Sequence, residues 1–176
     1  TFGAKFDLTN HSGTRFHVEV KRDIRLISTF TAWKKLGVKP SSNVSVVAYE
    51  SQNRITNAGE KPWQKDTGLL SIWILGMFNP SPATTIVAPI HPGPASELGP
   101  EVNSDYFGAI PPSRLAVKDS AIFFSGDGQF RSKIGVNPMR SKGLLGSYDA
   151  ANKALTIVQF TQPKGATEYV NSQWKW

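Results

Sequence analysis

The chain has 176 residues, a hydrophobic fraction of 39%, no cysteine and a formal net charge of +7 at pH 7. This length suits a single hydrophobic core, and the apolar content is far from that of a disordered chain. The lack of cysteine excludes disulfide bonds and thiol catalysis, and no apolar run reaches the roughly 20 residues that a membrane-spanning helix needs.

The first predicted elements are two strands joined by a turn. Apolar and polar residues alternate over residues 16–26, which predicts one long strand with a solvated face. We expect this strand to pair with residues 4–9 through the turn Asn10-His11-Ser12-Gly13, because these residue types tolerate tight turns. The alternation therefore predicts an antiparallel hairpin.

A short helix is predicted at residues 29–36. Thr29 or Thr31 can cap its first turn, and Lys35 suits the negative end of the helix dipole. Gly37 can end the helix in a left-handed conformation.

The rest of the chain is predicted to be antiparallel strands and loops. Residues 69–78 are apolar on both faces, which predicts a central strand covered from both sides. Eight of the 12 prolines fall within residues 80–112, which predicts a long loop with one short strand. Further strands are expected at residues 44–51, 54–57, 85–88, 115–117, 121–125, 130–136, 144–148, 154–161 and 168–174. We therefore expect an all-β, antiparallel β-sandwich, with residues 1–176 forming one domain or an internal fragment of a larger one.

The cations are distributed along the chain rather than gathered in one basic stretch. No run of Lys and Arg is longer than two, and residues 66–113 contain neither. This distribution is typical of the solvated face of a sheet. We therefore expect no nucleic-acid partner, although the charge alone would suit one.

The residues that usually hold metals or cofactors are sparse. His11, His17 and His91 are the three histidines, and no two of them have the spacing of metal ligands. Residues 125–128 read Ser-Gly-Asp-Gly and carry a single carboxylate, which is typical of a hairpin turn rather than a calcium loop. We expect no metal and no cofactor.

Aromatic residues gather in and near the stretch without cations. Rings that can stack on the apolar faces of pyranoses are offered by Trp63, Trp73, Phe78, Tyr106 and Phe107. Sugar hydroxyls can be hydrogen-bonded by Asn79, Asn103 and Asp105. Each ring taken alone is also typical of an ordinary hydrophobic core. The pattern thus leaves a sugar site and a core as alternatives.

Two cations stand close together later in the chain. Arg131 and Lys133 share one face of the predicted strand 130–136. Such a pair can hold an anion or a sugar hydroxyl, and it is equally typical of a solvated strand face.

Several segments together resemble a known family. Residues 54–63 read Arg-Ile-Thr-Asn-Ala-Gly-Glu-Lys-Pro-Trp and lead into the apolar segment 69–78. This arrangement resembles aldose 1-epimerase (galactose mutarotase-like) proteins, in which a strand ending in Thr-Asn-x-Gly-(Glu/Asp)-x-Pro precedes the strand that enters the sugar site. The resemblance extends to an uncharacterised bacterial family of secreted or lipoprotein type, through residues 68–80, 103–108, 130–135, 146–149 and 155–158. It implies a galactose mutarotase-like supersandwich, incomplete in this chain, which resembles the central portion of the family's longer chain.

The sequence departs from this family at the catalytic position. Epimerases place a histidine just after the central strand, where this chain has Gly76, Met77 and Phe78. His11 follows Thr-Asn in a similar way, but Gly13 stands where the family has Tyr-Phe. Because acid–base epimerisation needs one group to give a proton and another to take one, we assign no catalytic residue in this chain.

Three hypotheses for the function remain open at this point. The chain is a carbohydrate-binding or carbohydrate-processing module that is catalytically silent. Alternatively, it is part of an active sugar epimerase whose catalytic His and Glu or Asp lie outside these residues. The third hypothesis is a structural or interaction domain without a sugar ligand.

The first hypothesis leads to specific expectations for the ligand, the binding residues and the location of the protein. A saccharide would be the ligand, in a cleft on a concave sheet face with residues 80–112 at its rim. The expected sugar-binding residues are Trp73, Phe78, Asn79, Asp105, Tyr106, Arg131 and Lys133. The resemblance implies a periplasmic or extracellular location, with a lipid anchor in the full-length protein. An incomplete sandwich would leave sheet edges open, so we also expect these edges to pair with a second chain.

Overall fold

The computed structural model describes residues 1–162. Of these residues, 40% lie in strands or isolated bridges and 7% in helices, and both sheets are antiparallel. The all-β prediction is therefore confirmed. The chain divides into two compact units, 1–74 and 75–176, each of which is described by itself. The expectation of one domain over residues 1–176 stays a prediction.

The first unit contains a three-stranded sheet and one helix. Its strands are β1 (Phe2–Thr9), β2 (Arg15–Ile27) and β3 (Ala48–Asn57), in the order β1-β2-β3. The predicted hairpin is confirmed, and its register places Phe6 opposite Val18. Strand β3 replaces the two strands that were predicted at residues 44–51 and 54–57.

The predicted helix forms with the predicted bounds, as α1 (Thr29–Leu36). Its N-cap is Ser28 rather than a threonine, because the Ser28 hydroxyl accepts a hydrogen bond from the backbone N–H of Thr31 at 3.2 Å. Gly37 ends the helix at φ 67°, a conformation that glycine adopts without strain.

Glu50 ties the helix to the sheet of the first unit. Its carboxylate lies 2.6 Å from the Lys35 ammonium and 2.5 Å from the Arg25 guanidinium. The hydrogen bonds from Lys35 and then Arg25 lower the pKa of Glu50 to about 2 from the ordinary value of 4.5. The contribution of Glu50 to stability is thus complete above pH 4.5 and is lost as the pH falls toward 2.

We expect the side-chain carboxyl of Glu50 to titrate with a midpoint near 2. Replacing Lys35 with methionine should move this midpoint upward, toward the ordinary value of a glutamate, because the first of the two hydrogen bonds is lost. Carbon-detected NMR titration of the carboxyl group measures the midpoint. The matched control is Lys34→Met, which removes the neighbouring lysine of the same helical turn. An unchanged midpoint in Lys35→Met would contradict the assignment.

The second unit is built on a five-stranded sheet. Its strands are β4 (Thr84–Pro89), β5 (Leu115–Lys118), β6 (Ala121–Ser125), β7 (Leu144–Asp149) and β8 (Ala154–Gln159), in the order β5-β6-β4-β7-β8. A short helix, α2 (Ala95–Leu98), follows β4. Among residues 1–162, neither helix has the length and apolar content to cross a membrane.

The core of the second unit lies on one face of this sheet. Ala88 of β4 is paired with Ile122 of β6, and both side chains are buried together with Ile90. Partly buried hydrophobic residues pack against these three: Val102, Leu115, Val117, Ile134 and Val136. The loop that follows β4 and the segment that precedes β7 thus cover the sheet at its β5-β6-β4 side.

A buried arginine fixes the loop after β4. The guanidinium of Arg140 donates to the carbonyl of Gly99 from Nε at 3.1 Å and from Nη2 at 2.9 Å, and it donates to the carbonyl of His91 from Nη1 at 2.9 Å. The side chain is 1% exposed. A planar fork of donors is suited to this double contact, which a lysine could not reproduce.

Two strand predictions are wrong. Residues 69–78, predicted as the central strand, form no strand, and Trp73 and Met77 are 77% and 84% exposed. Apolar content predicts burial, but a strand also needs a hydrogen-bonding neighbour, and no described strand pairs with this segment. Residues 130–136 form only the isolated bridge between Gly135 and Asn103. The strand predicted at residues 168–174 lies outside the described residues.

Candidate functional site

One bridge brings two distant segments of the second unit together. The backbone N–H of Asn103 donates to the carbonyl of Gly135 at 2.9 Å, and the N–H of Gly135 donates to the carbonyl of Asn103 at 2.8 Å. The bridge lies just before the turn that carries Tyr106 and Phe107, and just after Arg131 and Lys133 in sequence. The two segments therefore meet with aromatic residues on one and cations on the other.

Each cation lies over an aromatic ring. The Arg131 guanidinium carbon is 4.6 Å from the centre of the Phe107 ring, and Lys133 Nζ is 4.1 Å from the centre of the Tyr106 ring. The two rings meet edge to face, with centres 4.5 Å apart. Cations are attracted to ring faces by the ring quadrupole, so these contacts orient both charged groups.

Asn103 and Asp105 complete the site with an amide and a carboxylate. The Asn103 side-chain carbonyl accepts from the backbone N–H of Asp105 at 2.8 Å, and its amide donates to the Asp105 carboxylate at 3.2 Å. This local bonding shapes the turn. We call Asn103, Asp105, Tyr106, Phe107, Arg131 and Lys133 together the Tyr106 cluster.

The chain matches one protein family over its whole length. A model of a family of unknown function, DUF6786, matches residues 1–176. The chain belongs to the DUF6786 family. No curated protein matches it, and no solved structure does.

In this DUF6786 chain the Tyr106 cluster unites four of the seven expected sugar-binding residues, namely Asp105, Tyr106, Arg131 and Lys133. Phe78 and Asn79 line a separate groove of about 340 Å³ on the sheet of the second unit. The other lining residues of that groove are Pro80, Thr84, Ile86, Gly126, Leu145, Gly146, Ser147, Thr156 and Val158. Trp73 belongs to the first unit.

Phe107 and Asn103, which were candidates in the sequence but not among the seven expected sugar-binding residues, belong to the site. Phe107 orients Arg131, and Asn103 makes both the bridge and the contact with Asp105. The adjacent pair Tyr106-Phe107 could have indicated this role, because two neighbouring rings match two cations spaced two residues apart. The contact itself depends on the fold and is not visible in the sequence.

Residues 125–128, predicted as a hairpin turn, join no two paired strands: they end β6 and run into bends, and no strand forms at residues 130–136. Asp127 accepts a hydrogen bond from Arg114 and another from the backbone N–H of Gln129 at 2.9 Å. The Arg114 hydrogen bond is the main cause that lowers the pKa of Asp127. Within residues 1–162, no group of three or more His, Asp or Glu side chains could hold a metal ion.

A second cluster of titratable groups lies in the first unit. Asp7 Oδ1 and His17 Nδ1 are 2.5 Å apart across β1 and β2, and Asp7 Oδ2 accepts from Arg15 at 2.5 Å. The Arg15 hydrogen bond is the main cause that lowers the pKa of Asp7. The Asp7 carboxylate and the Arg15 guanidinium face each other across a hairpin surface, and these two charges neutralise one another locally.

Proposed function

We propose that this chain is a carbohydrate-binding module of galactose mutarotase-like sandwich type, and that the Tyr106 cluster holds the saccharide. The observation that carries the proposal is the meeting of two rings, two cations, an amide and a carboxylate in one place. Rings offer apolar surface to the C–H face of a sugar, and the polar groups offer donors and acceptors to its hydroxyls. Phe107 is 45% exposed, so ring surface is available to a ligand.

The proposal is for binding without catalysis. Acid–base epimerisation needs one group to protonate the ring oxygen and a second to deprotonate the anomeric hydroxyl. The Tyr106 cluster contains one carboxylate, Asp105, which contacts Asn103, and it contains no histidine. Met77 lies at the sequence position where the resemblance to epimerases implies a catalytic histidine.

The location and the partners belong to the same proposal. We propose a periplasmic or extracellular location, which suits a module that meets free or polymeric saccharides. Among the described strands, those with a neighbour on one side only are β1, β3, β5 and β8. Their free edges support pairing with a second chain, since such edges present unpaired backbone donors and acceptors.

Replacing Tyr106 with alanine is expected to weaken saccharide binding at least about tenfold. The variant removes ring surface for stacking on the sugar, and it removes the cation–π contact that orients Lys133. Isothermal titration calorimetry against monosaccharides and oligosaccharides measures the affinity. The matched control is Tyr148→Ala, since Tyr148 is a half-exposed tyrosine on β7 outside the cluster. A wild-type protein that binds no saccharide, or equal losses in both variants, would show that the proposal is wrong.

A further inference from the structure

We infer that the ligand of the Tyr106 cluster carries a negatively charged group, and that Arg131 binds this group. The inference rests on the proposed function and specifies its ligand as an acidic saccharide, with a carboxylate on the sugar ring. We base it on the orientation and ion pairing of the Arg131 guanidinium and on the charged groups around it.

The guanidinium of Arg131 is oriented by an aromatic ring. It lies 4.6 Å from the centre of the Phe107 ring, and the Arg131 side chain is exposed. Among residues 1–162, no carboxylate forms an ion pair with Arg131, and none accepts a hydrogen bond from it. The ring holds the guanidinium in place without using its N–H donors. A fork of donors in this state matches the two oxygens of a carboxylate.

The neighbouring charges favour an anion as well. Lys133 places a second cation over the adjacent ring of Tyr106. The one carboxylate of the cluster, Asp105, contacts the amide of Asn103 and forms no ion pair with Arg131. The carboxylate of Asp105 therefore does not neutralise Arg131.

The charge of the second unit acts in the same direction. Residues 75–176 contain nine Lys and Arg against seven Asp and Glu, and this excess of two positive charges attracts anionic ligands over distances up to about a Debye length and raises their association rate. A neutral sugar would gain nothing from this field. The combination of an oriented arginine and a cationic unit thus distinguishes an acidic saccharide from a neutral one.

The experiment compares two sugars that differ in one group. D-galacturonate carries a carboxylate at the position where D-galactose carries a hydroxymethyl group, so the difference in affinity isolates the charge. We expect the wild-type protein to bind galacturonate, or short oligomers of it, at least about tenfold more tightly than the matched galactose ligand. We expect this preference to shrink as the salt concentration rises.

Variants test whether Arg131 is responsible. Arg131→Gln should lose about tenfold in affinity for galacturonate and clearly less in affinity for galactose, so the preference for galacturonate over galactose should shrink. Arg131→Lys keeps the charge but loses the fork, so an intermediate loss is expected. Arg54→Gln is the matched control, because it removes one positive charge from an exposed arginine of the first unit. Circular dichroism and thermal unfolding confirm that each variant is folded.

The outcomes separate this inference from the proposed function. Equal affinity for galactose and galacturonate in the wild-type protein would overturn the inference and leave saccharide binding intact. Binding of neither sugar series would overturn both. Equal affinity for free acetate and for galacturonate would also overturn the inference, since the saccharide would then contribute nothing. Equal losses in Arg131→Gln and Arg54→Gln would show that net charge, and not Arg131, sets the preference.

Discussion

Replacing Arg140 with methionine is expected to lower the free energy of unfolding of the second unit by about 3 kcal/mol. The variant leaves the carbonyls of Gly99 and His91 without the three hydrogen bonds that they accept from the guanidinium. These carbonyls lie beside a side chain that is 1% exposed, so water cannot replace the donors without opening the loop. Equilibrium unfolding in urea, followed by circular dichroism, measures the loss.

Two comparisons make this prediction specific. Lys142→Met removes a nearby exposed cation and should change the free energy of unfolding by less than about 0.5 kcal/mol. Hydrogen exchange at the backbone N–H of His91, which donates to the carbonyl of Arg140 at 2.8 Å, should accelerate in Arg140→Met. If both variants had the same stability as the wild-type protein, the role assigned to Arg140 would be refuted.

The second large effect is expected in the core of the same unit. Ile122 is 1% exposed and packs with Ala88 and Ile90 on the face of the sheet that the loop after β4 covers. Truncation to alanine removes three carbons and leaves a cavity, which costs about 3 kcal/mol in well-packed cores. Thermal or urea unfolding of Ile122→Ala measures this cost.

The control is the same substitution on an exposed isoleucine. Ile157 of β8 is 41% exposed, so Ile157→Ala should cost clearly less than Ile122→Ala. Similar losses at both positions would mean that the core does not lie on the face where Ile122 points.

The hairpin and the helix of the first unit could be predicted from the sequence because their causes are local. Alternation along β2 places Phe16 and Val18 in the interior, and Gly37 ends α1 by its own backbone freedom. Residues 69–78 could not be predicted correctly. Their apolar content indicates a covered strand, whereas strand formation depends on a partner that is remote in sequence.

The candidate site was predictable in composition but not in arrangement. The aromatic and cationic side chains of Tyr106, Arg131 and Lys133 were the reason to predict these residues as members of one site. The structure brings the three residues together. The bridge at Asn103 and the support from Phe107 depend on a fold contact across about 30 residues. The burial of Arg140 could not be predicted from the sequence either. A charged residue in a turn after a proline has no sequence pattern that indicates an interior position.

The boundary between the two units lies inside an exposed segment without regular structure, and this has a consequence for handling the protein. The boundary falls between Ile74 and Leu75, and the neighbouring Trp73, Met77 and Phe78 are exposed by more than half. Chymotrypsin cleaves after large apolar and aromatic residues, and proteases act first on exposed, irregular backbone. A brief digestion should therefore cut the chain first at residues 73–78 and release two fragments of about 8 and 11 kDa, a pattern that mass spectrometry would read directly.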